Sequence, residues 1–204
     1  MRSVIVSNIA SADGYFAAPD GNPLVLNMDE AFDAYNRERI SLADVVLLGR
    51  KSFLGFSSYW PFVADAPADP DNRALSDDNR ETSRVYNKVE KVVCSDTLVV
   101  PDDNPWRGTT KVVARARIAE ELRRLRADGD GDILIFASHV LWNALLKDAL
   151  VDELHIMMSP NALGDGTPLF TSAAQLRFLE ARRFESSDNV LLRYAVAQPP
   201  SPHT

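Results

Sequence analysis

Residues Ala43 to Phe53, reading ADVVLLGRKSF, constrain the fold more than any other stretch of the chain. Val45 to Leu48 form a short, unbroken apolar run, the pattern of a strand covered on both faces. Gly49 permits a sharp turn and close approach of a ligand. Arg50, Lys51 and Ser52 then fall in the first turn of a helix, where N–H groups are unpaired and the dipole is positive. Strand, glycine, basic residues, hydroxyl and helix together make a phosphate cradle. The same Gly-Arg junction also ends strands for purely structural reasons.

The remaining chain continues the alternation of strand and helix. Val4 to Ile9 reads as a first strand, broken by Ser11-Ala12-Asp13-Gly14 and a loop dense in turn residues through Pro23. Met28, Phe32, Tyr35 and Ile40 fall on a helical stripe, with Asn27 or Asp29 at its cap. Lys91 to Ser95, Thr110 to Ala114, Ile133 to Phe136 and Val190 to Val196 are further strands. Leu154, Ile156 and Met158 alternate with Glu153, His155 and Met157, as in a half-buried strand. Ile118, Leu122 and Leu125 line a basic helix that ends at Asp128-Gly129, and Leu141, Leu145 and Ala149 mark another. From Tyr59 to Asn87 the chain is rich in Pro and Asp, an excursion with one short helix near Asp77 to Val85. The pattern predicts one α/β domain over residues 1–197, its central sheet mostly parallel, flanked by helices and closed by an antiparallel edge. Residues 198–204 form a polar, proline-containing tail expected to be disordered.

A formal net charge of −7 excludes a broad nucleic-acid surface. No run approaches the ~18 apolar residues of a membrane span, and the N-terminus lacks a signal-peptide core. One cysteine, Cys94, forbids an intrachain disulfide and makes the reducing cytoplasm the expected compartment. Within Val92-Val93-Cys94 it reads as a small core residue. His139 and His155 have no partner at metal-ligand spacing, so no metal is expected.

The order of motifs resembles the dihydrofolate-reductase-like superfamily. It is most similar to the branch typified by the RibD C-terminal domain, the reductase of bacterial riboflavin biosynthesis, in a stand-alone form. The matching segments are Val6 to Gly14, Ala43 to Phe56 with Tyr59-Trp60-Pro61, Val92 to Leu98, Leu134 to Leu141, Leu150 to Leu154, and Leu163 to Phe170. The resemblance implies NADPH, or NADH, across the carboxyl ends of the strands. Gly49, Arg50, Lys51 and Ser52 match the phosphate-binding helix start. Ser95 matches a residue that helps hold the adenosine 2′-phosphate. Ala137, Ser138 and His139, leading to Leu141, match the turn that cradles the pyrophosphate. A homodimer acting on a small-molecule substrate is implied as well.

Three departures bear on function. Ala137 and His139 stand where glycine is usual, and their side chains would crowd a pyrophosphate. Asp96 follows Ser95 where a basic residue is common, and its carboxylate would repel a 2′-phosphate or accept a bond from a free ribose hydroxyl. Phe136 replaces the glutamate of the riboflavin-pathway enzymes, which argues against their substrate.

Asp13 reads either as a turn residue preparing Gly14 for positive φ or as a carboxylate that orients or protonates substrate. Asp29 and Glu30 read as first-turn acids paired with the helix dipole, with Asp29 the reserve catalytic acid. His139 is either a phosphate donor or a plain first-turn residue; His155 reads as structural. The expectation is a reductase that passes hydride from a reduced nicotinamide to a small heterocyclic or carbonyl compound. The competing reading is a nucleotide- or small-molecule-binding relative that has lost reductase activity.

Overall fold

The apolar run Val45 to Leu48 is at most 1% exposed and lies in the interior of an eight-stranded sheet. A computed structural model of the chain describes residues 1–69 and 71–197; the tail expected at 198–204 lies outside the described residues. In chain order the elements are β1 (Val4–Ser11), β2 (Tyr15–Ala17), α1 (Glu30–Ile40), β3 (Ala43–Gly49), α2 (Arg50–Ser57), α3 (Trp60–Val63), α4 (Asp77–Lys88) and β4 (Glu90–Cys94). There follow β5 (Thr110–Val113), α5 (Ile118–Ala127), β6 (Asp132–Phe136), α6 (His139–Lys147), β7 (Glu153–Ser159), β8 (Thr167–Pro168), β9 (Leu176–Arg183) and β10 (Val190–Val196). The strand order is β5-β4-β3-β6-β1-β7-β10-β9. Every pairing from β5 to β7 is parallel, and β10 and β9 add the antiparallel edge. The expected α/β architecture is therefore present.

Alternation along each strand explains the two layers. Val4, Val6, Leu47, Ile133 and Ile135 face Leu122 and Leu125 of α5 and Trp142 and Leu145 of α6. Ile5, Val46, Leu48, Leu134 and Phe136 face Ile40, Phe53, Tyr86 and Trp106 on the other side. Full burial of each such aliphatic side chain stabilises the fold by about 1.5–3 kcal/mol. The six parallel strands end on the same side of the sheet, and that side carries the loops that build the site.

Three elements differ from the sequence expectation. β7 is buried on both faces, not one: His155 is 0% and Met157 2% exposed. Helix α1 covers this second face, and its Tyr35 hydroxyl donates to His155 Nδ1 at 2.8 Å. Nε2 of His155 lies 2.9 Å from Glu153 and 3.2 Å from Arg193 Nε, and burial holds the imidazole pKa down to about 4, so the ring is neutral and structural. The excursion after α2 holds α3 as well as α4, and α4 extends to Lys88. An edge strand, β9, pairs with β10, its period-2 pattern interrupted by a bulge opposite Arg193/Tyr194.

Candidate active site

β3 and β6 are neighbours, and each runs directly into a helix, β3 into α2 and β6 through Ala137-Ser138 into α6. The N-caps of both helices, Gly49 and Ser138, make no side-chain capping bond. The N–H groups of the two first turns, after the cap residues, thus stand beside each other without side-chain caps. A Cβ at position 49 would lie only 3.9 Å from that of Leu141. Two hydrogen bonds cross the gap. Ser138 N–H donates to Ser52 Oγ at 3.0 Å, and Gly49 N–H donates to Ser138 Oγ at 3.1 Å. Asn8 Nδ2 of β1 donates to the Ala137 carbonyl at 3.2 Å.

Ala137 and Ser138 have φ of +46° and +47°, the left-handed region where L-residues are strained by about 1–2 kcal/mol each. The chain thus builds with alanine and serine a turn shape that glycine adopts freely. The imidazole of His139 also turns aside. It stacks on Phe16 of β2 with centroids 4.8 Å apart, and Nε2 lies 2.8 and 3.0 Å from the carbonyls of Pro168 and Leu169. Both partners are acceptors, so Nε2 carries the ring proton and ties α6 to the segment around β8.

On the next strand, Cys94 pairs with Gly49, which brings Ser95 alongside the start of α2. Ser95 is 5% exposed, and its Oγ accepts the N–H groups of Thr97 and Leu98 at 3.2 and 3.0 Å. Arg50 Nη1 donates to Thr97 Oγ1 at 3.2 Å. Asp96 accepts the Arg115 N–H at 2.9 Å and faces its guanidinium at 3.4 Å. Its carboxylate is thus paired with Arg115. Lys51 is exposed beside this group, and burial pushes the Cys94 thiol pKa up, away from thiolate chemistry.

The two candidate acids have other partners. Asp13 follows β1 and accepts the N–H groups of Leu163 and Gly164 at 3.1 and 2.7 Å and the Ser11 hydroxyl at 2.6 Å. These bonds, the Ser11 hydroxyl foremost, hold its pKa down to about 2, while Gly14 beside it takes a φ of +88°. Asp29 caps α1 through the N–H groups of Ala31 and Phe32 and binds Asn27, Ser187 and Asn189. It pins the helix start to the β9–β10 hairpin. Neither carboxylate shares a partner with the Gly49–Ser138 group.

Asn8 interrupts an apolar strand, a polar residue at 8% exposure, and that interruption was the available signal. Asp33, one turn beyond Asp29 on α1, is 9% exposed and bonds to Arg73 and to Asn79 Nδ2. Burial pushes its carboxyl up to about 6, against the opposing pull of Arg73. Among the described residues no group of three or more His, Cys, Asp or Glu is placed to hold a metal ion. No helix among them is long and apolar enough to cross a membrane.

Comparison with known proteins bears on the fold and the family. Across 190 residues the chain is 25% identical to the uncharacterised protein YyaP of Bacillus subtilis (strain 168), covering 91% of this chain and 90% of that one. RibD of Acinetobacter baumannii superposes with a TM-score of 0.68 at 15% identity, over 97% of this chain and 58% of the longer protein. Dihydrofolate reductase of Enterococcus faecalis, solved with NADP(H), superposes with a TM-score of 0.58 at 13% identity, over 96% and 97% of the two chains. The model of the RibD C-terminal domain matches residues 2–192, and the chain belongs to that family, with a dihydrofolate-reductase-like fold.

Proposed function

We propose that the protein is an NADPH-dependent reductase acting on a small planar heterocyclic or carbonyl compound. The observation that carries this reading is the pair of uncapped helix starts at Gly49 and Ser138, stapled side by side at the carboxyl ends of adjacent strands. Their free N–H groups and dipoles suit the two charges of a pyrophosphate. Arg50, Lys51 and Arg115 supply positive charge on the same rim, with Ser95 between them, and suit a 2′-phosphate. Bound NADPH supplies the hydride, and the protein supplies position and a proton. The left-handed turn at Ala137 and Ser138 keeps the shape a dinucleotide needs, which supports an active reductase over a relative that has lost catalysis.

On the substrate side the roles divide by protonation. Asp13, its carboxyl held low by Ser11, Leu163 and Gly164, orients the segment around Gly164. Asp29 is occupied by its donors and positions α1. Asp33, held on α1 by Arg73 and Asn79 with its carboxyl pushed up by burial, joins Asp13 and Asp29 as a candidate proton source. Phe136, buried against Tyr86, stands where the riboflavin-pathway enzymes carry a glutamate, and the loss of that carboxylate favours a substrate other than theirs.

The functional unit is a homodimer built on β9 and β10. β9 is an edge strand, and Leu192 and Tyr194 lie opposite Ala181 and Phe178 on a face that leaves Phe178 58% exposed. Fluorescence titration with NADPH and NADH tests the reading directly. Saturable binding with preference for NADPH is expected; no binding of either at millimolar concentration overturns it.

A further inference from the structure

We infer that Ser52 and Ser138 form a reciprocal staple that replaces the glycines of the cofactor turn, acting as positioning residues. The inference deepens the NADPH reading and rests on it. Ala137 and Ser138 hold φ of +46° and +47°, a conformation that glycine takes without cost and other residues take only when held. The holding groups are visible. Ser52, in the first turn of α2, accepts the N–H of Ser138 through Oγ at 3.0 Å. Ser138, at the start of α6, accepts the N–H of Gly49 through its own Oγ at 3.1 Å. Each helix start therefore donates a backbone N–H to a hydroxyl of the other. Asn8 fixes the third side by donating to the Ala137 carbonyl at 3.2 Å.

The geometry has two consequences. The staple keeps two helix N-termini in one orientation, so their remaining N–H groups converge before any ligand arrives. It also balances the backbone strain, because each bond is lost if the turn relaxes to negative φ. Each serine accepts through its oxygen and retains an uncommitted O–H, so the pair is not exhausted by its structural role. Ser138 is 6% exposed, which shields the staple from competing water. A turn of this kind needs no glycine because the neighbouring helix supplies the restraint.

A rescue experiment separates holding from direct contact with the cofactor. Ser52→Ala is expected to weaken NADPH binding about 5- to 20-fold by removing one acceptor of a buried N–H. Adding Ala137→Gly to Ser52→Ala should recover most of that loss, because glycine holds left-handed φ unaided. Ser52→Thr, which keeps the hydroxyl, should bind as the natural protein does. Unchanged affinity in Ser52→Ala, or a loss that Ala137→Gly leaves untouched, overturns the staple. A second readout needs no nucleotide. Amide exchange at Ser138 should accelerate in Ser52→Ala, and Ala137→Gly should raise the melting temperature more in Ser52→Ala than in the natural sequence. Additive melting shifts with unaltered exchange overturn the staple even if the protein binds no NADPH, whereas absent NADPH binding with coupled shifts overturns only the cofactor reading.

Discussion

The Asp96 carboxylate accepts the backbone N–H of Arg115 at 2.9 Å and meets the same residue's guanidinium at 3.4 Å. The acid that the sequence sets against a phosphate holds a base beside it. It fixes where Arg115 stands, at the end of β5 beside the Ser95 turn that also receives Arg50.

Removing either partner should therefore weaken the same interaction to different degrees. Arg115→Ala is expected to lower NADPH affinity about tenfold, the loss of one exposed charge-assisted bond, and to leave NADH affinity unchanged. Asp96→Ala should cost a smaller factor of about two to five, since Arg115 remains but is less well placed. Parallel titrations with the two nucleotides decide it. If Asp96→Ala raises NADPH affinity, the carboxylate repels the phosphate and does not anchor Arg115.

Asp13 joins the turn after β1 to Leu163 and Gly164 across a long stretch of chain, and this bond set gives a pH signature. A carboxyl lowered from 3.8 to about 2 in the folded state stabilises the protein fully above pH 4. That contribution fades as pH falls towards 2. Asp13→Asn cannot accept both N–H groups through oxygen, so the 160–166 segment should exchange amides faster at pH 7. The stability gap between Asp13→Asn and the natural protein should narrow between pH 4 and pH 2 in urea titrations. A gap that is constant across that range would mean that the bonds to Leu163 and Gly164 contribute nothing.

Legibility in the sequence follows the range of the interaction. Val45 to Leu48 and the Ile118, Leu122 and Leu125 stripe are local patterns, and β3 and α5 stand where those patterns put them. The α2 start after Gly49 is legible for the same reason. The bonds of Asp13 to Leu163 and Gly164, the bond from Asn8 to Ala137 and the stacking of His139 on Phe16 each join residues more than a hundred positions apart. No periodicity records such pairings. β9 was illegible because it mixes charge and apolar residues, with Glu180 paired to Arg193 on one face and Phe178 beside Tyr194 on the other. Asp33 was missed because its chemistry comes from burial against Arg73 and Asn79, which residue type does not reveal.

Asp33 makes the proton-delivery proposal testable by pH. Its carboxyl is raised to about 6, so the protonated fraction falls as pH rises through 6. With saturating NADPH, turnover should decline about tenfold per pH unit above that value if this proton is required. Asp33→Asn should lower kcat and flatten the profile while leaving the nucleotide Kd unchanged. A natural profile that is flat from pH 5 to 8, or an Asp33→Asn enzyme of full activity, would remove Asp33 from the reaction and leave solvent as the donor.

Lys91 offers a stability prediction away from the chemistry. It is 0% exposed on β4, its Nζ donates to Thr109 Oγ1 at 2.8 Å and sits 4.7 Å from the centre of the Trp106 ring. Burial lowers its pKa from 10.5 to about 7. The folded state thus disfavours the charged ammonium that the unfolded chain carries up to pH 10. Below pH 7 both states are protonated and the full desolvation cost is present; between pH 7 and 10.5 the folded lysine is neutral and the cost disappears. The natural protein should therefore gain stability as pH rises across that interval. Lys91→Met fills the same space without a charge and should be more stable at pH 6 by about 1–3 kcal/mol, the lost Thr109 bond included. Its advantage should shrink towards pH 10, where the lysine is neutral in both states. Chemical denaturation at the two pH values measures it, and a Lys91→Met variant that is less stable at pH 6 would show that the contacts to Thr109 and Trp106 outweigh the cost of the buried charge.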